Sequence, residues 1–150
     1  MSKEAYTLIN ATENDFQFIY NLNKQNMKEA VSKTWGTWDE EFQKDFFTDR
    51  FDPNKYKLII VNENKIGILS IQNLEYVKID EIQISPTFQG KGIGSKILLD
   101  IVAKAQLQKK DVHLQVLKVN DRAKKLYYKL GFNDSGETET HYLMVKKLKS

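Results

Sequence analysis

The sequence predicts a mixed α/β fold, a mostly antiparallel central sheet of about six to seven strands flanked by about four helices, with one parallel strand pair. Three observations predict it. Short alternating apolar segments between residues 57 and 85 are joined by tight turns, which pairs neighbouring strands antiparallel. A strand–helix–strand run covers residues 77–119, and such a crossover sets its two strands in parallel. Between these segments, apolar residues recur at helical spacing. No repeat, low-complexity tract or Pro/Gly-rich linker interrupts the chain, so residues 1–150 read as a single domain.

The elements can be taken in chain order. Tyr6 to Asn10 is a first strand. Thr12 and Asp15 offer capping side chains to a helix that carries Phe16, Ile19, Tyr20 and Asn23 on one face. Thr37-Trp38-Asp39-Glu40 has the form of a capping box opening a second helix, with Phe42, Phe46 and Phe47 expected inward. Asp52-Pro53-Asn54 is a turn. Lys57 to Val61 and Lys65 to Asn73 form a hairpin through Asn62-Glu63-Asn64, and a strand from Val77 to Ser85 stops at Pro86. Ile93, Ile97, Leu98, Ile101, Val102 and Ala105 then mark a helix, which breaks at Lys109-Lys110-Asp111. Val112 to Val119 alternates as a strand. Asn120 or Asp121 caps a short helix with Ala123, Leu126, Tyr127 and Leu130, and Gly131 suits its end. His141 to Leu148 is a last strand, paired with one near Phe132.

Composition excludes several function classes. Hydrophobic residues at 41% and charged residues at 29% describe a soluble globular chain. No apolar run reaches the roughly 18 residues of a membrane span, and Met1-Ser2-Lys3-Glu4-Ala5-Tyr6 has no apolar signal core. The chain has no cysteine, so disulfides, thiolate metal sites and a thiol nucleophile are out. The expectation is a cytoplasmic protein without a metal. A net charge of +3 spread over scattered lysines argues against a nucleic-acid binder. The partner expected is a small-molecule amine, with no membrane role, for a monomer or homodimer.

The most informative stretch is Ile84-Ser85-Pro86-Thr87-Phe88-Gln89-Gly90-Lys91-Gly92-Ile93-Gly94-Ser95, with glycines at every second position from Gly90. It is neither a P-loop nor a dinucleotide fingerprint, because Ser95 stands where each requires glycine. A helix starting near Gly92 or Gly94 leaves several N–H groups unpaired, and its dipole adds roughly half a positive charge there. Such a site suits an anion.

Gln89-Gly90-Lys91-Gly92-Ile93-Gly94 resembles the diphosphate-binding signature of the GNAT superfamily of acetyl-CoA-dependent N-acetyltransferases, Gln/Arg-x-x-Gly-x-Gly/Ala. Downstream, Asn120-Asp121-Arg122-Ala123-Lys124-Lys125-Leu126-Tyr127-Tyr128-Lys129-Leu130-Gly131-Phe132 resembles that family's Asn-x-x-Ala-x-x-Leu-Tyr-x-Lys-x-Gly-Phe segment. The resemblance extends in detail over residues 56–132. It implies a GNAT-like sheet whose parallel pair splays around the glycine loop, with acetyl-CoA as co-substrate. It assigns the diphosphate to Gln89, Gly90, Lys91, Gly92, Ile93, Gly94 and Ser95, with Lys91 either a direct contact or a solvated side chain. It gives the acetyl carbonyl and pantetheine arm to the main-chain amides of Ile82, Gln83 and Ile84, with Asn120 holding the arm, capping a helix, or both. It makes Tyr127 the general acid toward the leaving sulfur, a phenol of pKa about 10 being matched to a thiol, or else an ordinary packing tyrosine.

The base and the acceptor pocket come from the residues themselves. Glu81, Gln83 and Ser85 share one face of their strand, and His113 and Gln115 one face of the next. A helix-covered sheet buries apolar residues on both faces, so these polar positions suggest a wet cleft. Glu81 is either the base, a carboxylate that holds the ammonium, or a satisfied structural carboxylate. His113 is a base or a structural histidine. Gln115 cannot accept a proton, although some family members carry glutamate at that position. Trp35 and Trp38, in an expected loop from Val31 to Trp38, either line the pocket or cover the core. Three functions fit this pattern: acetyl transfer to a small or amino-acid-like amine, to a protein or peptide, or a silent acyl-CoA-binding module.

Overall fold

The computed structural model describes residues 5–148. In chain order the elements are β1 (Thr7–Asn10), α1 (Phe16–Trp35), α2 (Glu40–Arg50), β2 (Lys57–Val61), β3 (Asn64–Asn73), β4 (Val77–Ile84), α3 (Ile93–Leu107), β5 (Val112–Leu117), α4 (Asp121–Lys129), β6 (Asn133–Glu137) and β7 (His141–Lys146). Among the described residues, seven strands form one sheet in the order β1-β2-β3-β4-β5-β7-β6. Every neighbouring pair is antiparallel except β4 and β5. The β2–β3 turn is Asn62-Glu63 with both residues at positive φ, the backbone hand that matches strand twist in a two-residue hairpin.

Each face of the sheet buries its own cluster. α3 lays Ile93, Ile97, Leu98, Ile101 and Val102 on one face, where Phe132 and Met144 are fully buried. α1 lays Ile19 and Leu22 against Leu58 and Ile68 on the other, with Phe47 and Phe51 closing the edge.

Two irregularities of β4 open the sheet and turn its side chains. The β3–β4 register slips between Ser70↔Glu81 and Ile71↔Ile79, so Asp80 is an extra residue in a β-bulge. The slip explains why the apolar face runs Val77, Ile79 and then Ile82, Ile84. β4 and β5 also pair only from Val77–Val112 to Ile79–Leu114. Beyond that point the strands part, β4 running on to Ile84 and β5 to Leu117. The splay lies at the C-terminal ends of two parallel strands, where α/β folds bind ligands.

Three local expectations are corrected. The cap of α2 is Asp39, whose Oδ1 accepts from the Phe42 N–H at 3.0 Å, and a capping box is formed instead by Thr12 and Asp15. Only Phe47 turns inward, because α2 is a surface helix with no buried residue, which leaves Phe42 59% and Phe46 46% exposed. Val31 to Trp35 is the last stretch of α1 and not a loop, and the loop begins at Gly36.

Candidate active site

The glycine stretch joins β4 to α3. Gly90 and Gly92 both take positive φ, +78° and +84°, a conformation that only glycine adopts without strain. Gly92 is the N-cap of α3 and has no side chain to spend on the helix. The first intrahelical bond, Lys96 N–H to the Gly92 carbonyl, is 3.0 Å, and the N–H groups of Ile93, Gly94 and Ser95 are left facing outward from the helix start. A Cβ placed on Gly94 would meet nothing nearer than the Ile84 side chain at 3.8 Å, so the approach is open. Uncapped amides plus the helix dipole fit a diphosphate. Lys91 is exposed, with its ammonium 5.2 Å above the Phe88 ring. The Gln89 side chain folds back on the end of β4, donating to the Ile84 carbonyl at 2.8 Å and to Asn26 Oδ1 at 3.0 Å.

Behind the loop, the two faces of β4 do different work. Ile82 and Ile84 pack on the cluster that contains α3, together with Tyr127. Glu81 and Gln83 lie on the reverse face. Glu81 lines a cavity of about 660 Å³ between the Asn54–Lys57 segment and strands β3 and β4, shared with Tyr56, Ser70, Gln72 and Asp80. Burial pushes the Glu81 carboxyl up to about 7, opposed by a hydrogen bond from Gln83 and reinforced by the charge of Asp80. Tyr56 is also pushed up, by burial first and then by the charges of Glu81, Asp80 and Asp52. A carboxyl titrating near neutrality beside a cavity is suited to general-base work.

Tyr127 lies on α4 and stacks edge-on to Phe132 with ring centroids 6.1 Å apart. Burial alone pushes its phenol above the ordinary value, which keeps it protonated. Asn120 caps α4, its Oδ1 accepting from the Ala123 N–H at 3.2 Å.

The remaining predicted residues are dispersed. His113 lies in the paired part of β5, beside Lys78, with its ring 4.2 Å from that of Tyr76. Gln115 is exposed at the start of the splay. Trp35 ends α1 with 60% of its surface exposed. Trp38 donates its indole N–H to Glu40 Oε2 at 2.8 Å, where Tyr20 and Lys24 also meet. Neither tryptophan lines the cavity that holds Glu81.

Comparison with known proteins decides the family. Residues 16–132 match the family described as Acetyltransferase (GNAT) family. The chain belongs to the GNAT acetyltransferases. Solved structures share the fold of this GNAT chain. The PaiA N-acetyltransferase of Thermoplasma acidophilum, in complex with coenzyme A, superposes with a TM-score of 0.75 at 16% identity, over 95% of this chain and 99% of that one. An acetyltransferase of Thermus thermophilus gives 0.72 at 19% identity, over 99% and 100%. The ribosomal-protein-S18-alanine N-acetyltransferase of Escherichia coli gives 0.63 at 17%, over 97% of each chain. Among curated proteins, none matches the chain by sequence.

Two residues beside this candidate site are not among the expected site residues, Asn23 being expected only on the helix face. Asn23 and Asn26 of α1 reach Gln83, which donates to Asn23 Oδ1 at 3.0 Å and accepts from Asn26 Nδ2 at 3.3 Å. Their signal is positional. They continue the buried face of Ile19 and Leu22 at helical spacing, and a polar residue on a buried face needs a partner.

Proposed function

We propose that the protein transfers the acetyl group of acetyl-CoA to the primary amine of a small or amino-acid-like acceptor, by direct attack in a ternary complex. The single observation that carries this is the splay of β4 from β5. It opens the sheet between a helix start that suits a diphosphate and a buried carboxylate that titrates near 7.

The acceptor arrives as an alkylammonium, with a pKa of about 10.4, and only about one molecule in a few thousand is neutral at pH 7. Glu81 takes its proton, directly or through water in the cavity, and the freed nitrogen attacks the acetyl carbonyl. Main-chain amides of Ile82 and Ile84, which alternate onto the edge that β5 has left while that of Gln83 faces β3, are the donors for the carbonyl oxygen as it gains charge. As the carbon–sulfur bond breaks, Tyr127 gives its proton to the leaving thiolate. Asn120 and the amides from Gly90 to Ser95 hold the pantetheine arm and the diphosphate. Acetyl-CoA supplies the activated thioester. The protein supplies position, a base, an acid and oriented dipoles.

The cavity beside Glu81 supports a small acceptor over a protein surface, since it is a bounded pocket with the paired strands β3 and β4 as one wall and Asn54–Lys57 as the other. A thiol-release screen with acetyl-CoA and polyamines, aminoglycosides, amino acids and N-terminal peptides tests the proposal. Turnover with a small amine is expected. Turnover with peptides alone, or with nothing, contradicts it.

A further inference from the structure

A chain of four side-chain amides runs from the glycine loop to Glu81, and one main-chain carbonyl fixes the direction of its members. The Ile84 oxygen can only accept, and it receives Nδ2 of Asn26 at 3.0 Å and Nε2 of Gln89 at 2.8 Å. Asn26 must therefore turn its NH₂ group to this side, which leaves its Oδ1 for Gln89 at 3.0 Å. The same NH₂ group donates to Gln83 Oε1 at 3.3 Å, so the oxygen of Gln83 points at Asn26. The Gln83 NH₂ group is then directed to Asn23 Oδ1 at 3.0 Å and to Glu81 Oε2 at 3.4 Å. Gln83 is buried, and every end of its carboxamide is matched.

From this geometry we propose that Asn26 is a positioning residue, acting through Gln83 to present a donor and not an oxygen to the Glu81 carboxylate. The inference rests on Glu81 being the base. A Gln83 amide turned the other way would set its carbonyl oxygen against the carboxylate and disfavour the ionised form. The lock holds Glu81 as a base that ionises at neutral pH despite its burial. It acts against a defined background. Asp80 adjoins Glu81 on β4, and Tyr56, Lys55 and Lys57 line the cavity from the facing segment, with Asp52 bearing on Tyr56. Among the described residues, β3 contributes the neutral Leu69, Ser70, Ile71 and Gln72 to that wall, and the α1 side chains that reach Gln83 are the neutral Asn23 and Asn26.

The test is a carbon-13 NMR titration of the Glu81 side-chain carboxyl in protein labelled at glutamate, the signal being assigned by its loss in Glu81→Gln. Thermal unfolding confirms that each variant is folded. Asn26→Ala and Gln83→Met are each expected to raise the Glu81 midpoint by about half a pH unit. The double variant should go no further, because both changes remove one donor. Gln83→Met leaves α1 intact, so it gives a result even if Asn26→Ala fails to fold. An unmoved midpoint in either folded variant, or shifts that add in the double variant, overturns the proposal. The titration needs no acceptor and no turnover. Failure of the lock is thus read in the midpoint, and failure of the base assignment is read in the activity of Glu81→Gln.

Discussion

β4 carries two stretches built in different ways, the two ends of the proposed site. At its C-terminal end the glycine loop offers backbone alone, with uncapped amides, two glycines at positive φ and a helix dipole. Within the strand, three residues before its end, the Glu81 site is made of side chains drawn from α1, the Asn54–Lys57 segment, β3 and β4 itself. A backbone site asks little of residue identity beyond glycine and spacing, and it recognises a ligand common to a whole family. A side-chain site changes with each contributing element, and under the proposed function it is there that one acceptor would be distinguished from another. The bulge at Asp80 joins the two. It keeps Ile82 and Ile84 on the face packed by α3 while turning Glu81 toward the cavity.

This division can be broken by substitutions that strike one end only. The largest effect is expected from Glu81→Gln, which should lower kcat/KM near neutral pH by about 10³-fold and leave acetyl-CoA affinity by calorimetry unchanged. A parallel loss of acetyl-CoA affinity would mean that the two ends are not separate. Tyr127→Phe should lower kcat by about 10²-fold, again with acetyl-CoA affinity retained, when chemistry is limiting. Gly92→Ala acts at the other end. Forcing a Cβ into φ of +84° costs about 1–2 kcal/mol, so the acetyl-CoA Kd should rise about tenfold while the Glu81 titration midpoint stays in place.

The smallest effect expected is on stability. Folding raises the Glu81 pKa from 4.5 to about 7, so between these values the native state holds more protons than the unfolded chain. Stability from this group is therefore present below pH 4.5 and declines as pH rises toward 7. Glu81→Gln removes the penalty. The variant should melt roughly 3–6 °C above the wild type at pH 8, with the difference shrinking toward pH 4.5. A gain independent of pH would show that packing, and not charge burial, is responsible.

The same division governs how much was legible in the sequence. Gly90, Gly92 and Gly94 stand at fixed spacing after an alternating strand, and local chain geometry needs nothing else to build that site. The hairpins and the crossover were legible for the same reason, since turn residues and alternation are local signals, whereas the seating of β7 against β5 is a long-range pairing that no local signal announces. Glu81 was legible because a carboxylate interrupts an apolar strand. Its cavity was not, because Tyr56 and Ser70 come from segments whose own patterns carry no such signal. The bulge left a trace, the change from apolar odd positions at Val77 and Ile79 to apolar even positions at Ile82 and Ile84, which a strict alternation conceals. Phe42 and Phe46 misled because aromatic residues at helical spacing imply burial, whereas α2 presents them to solvent. Asn23 and Asn26 needed the register of α1 on β4 before either could be connected with Gln83.

The measurement that bears most directly on the central claim is the pH dependence of thiol release from acetyl-CoA, taken with the amine that turns over fastest, in wild type and Glu81→Gln. In the wild type, kcat/KM should rise through an acid limb with a midpoint near the Glu81 value of about 7, and that limb should vanish in the variant. No thiol release with any amine, or the same limb in both proteins, would contradict an acetyltransferase that uses Glu81 as its base.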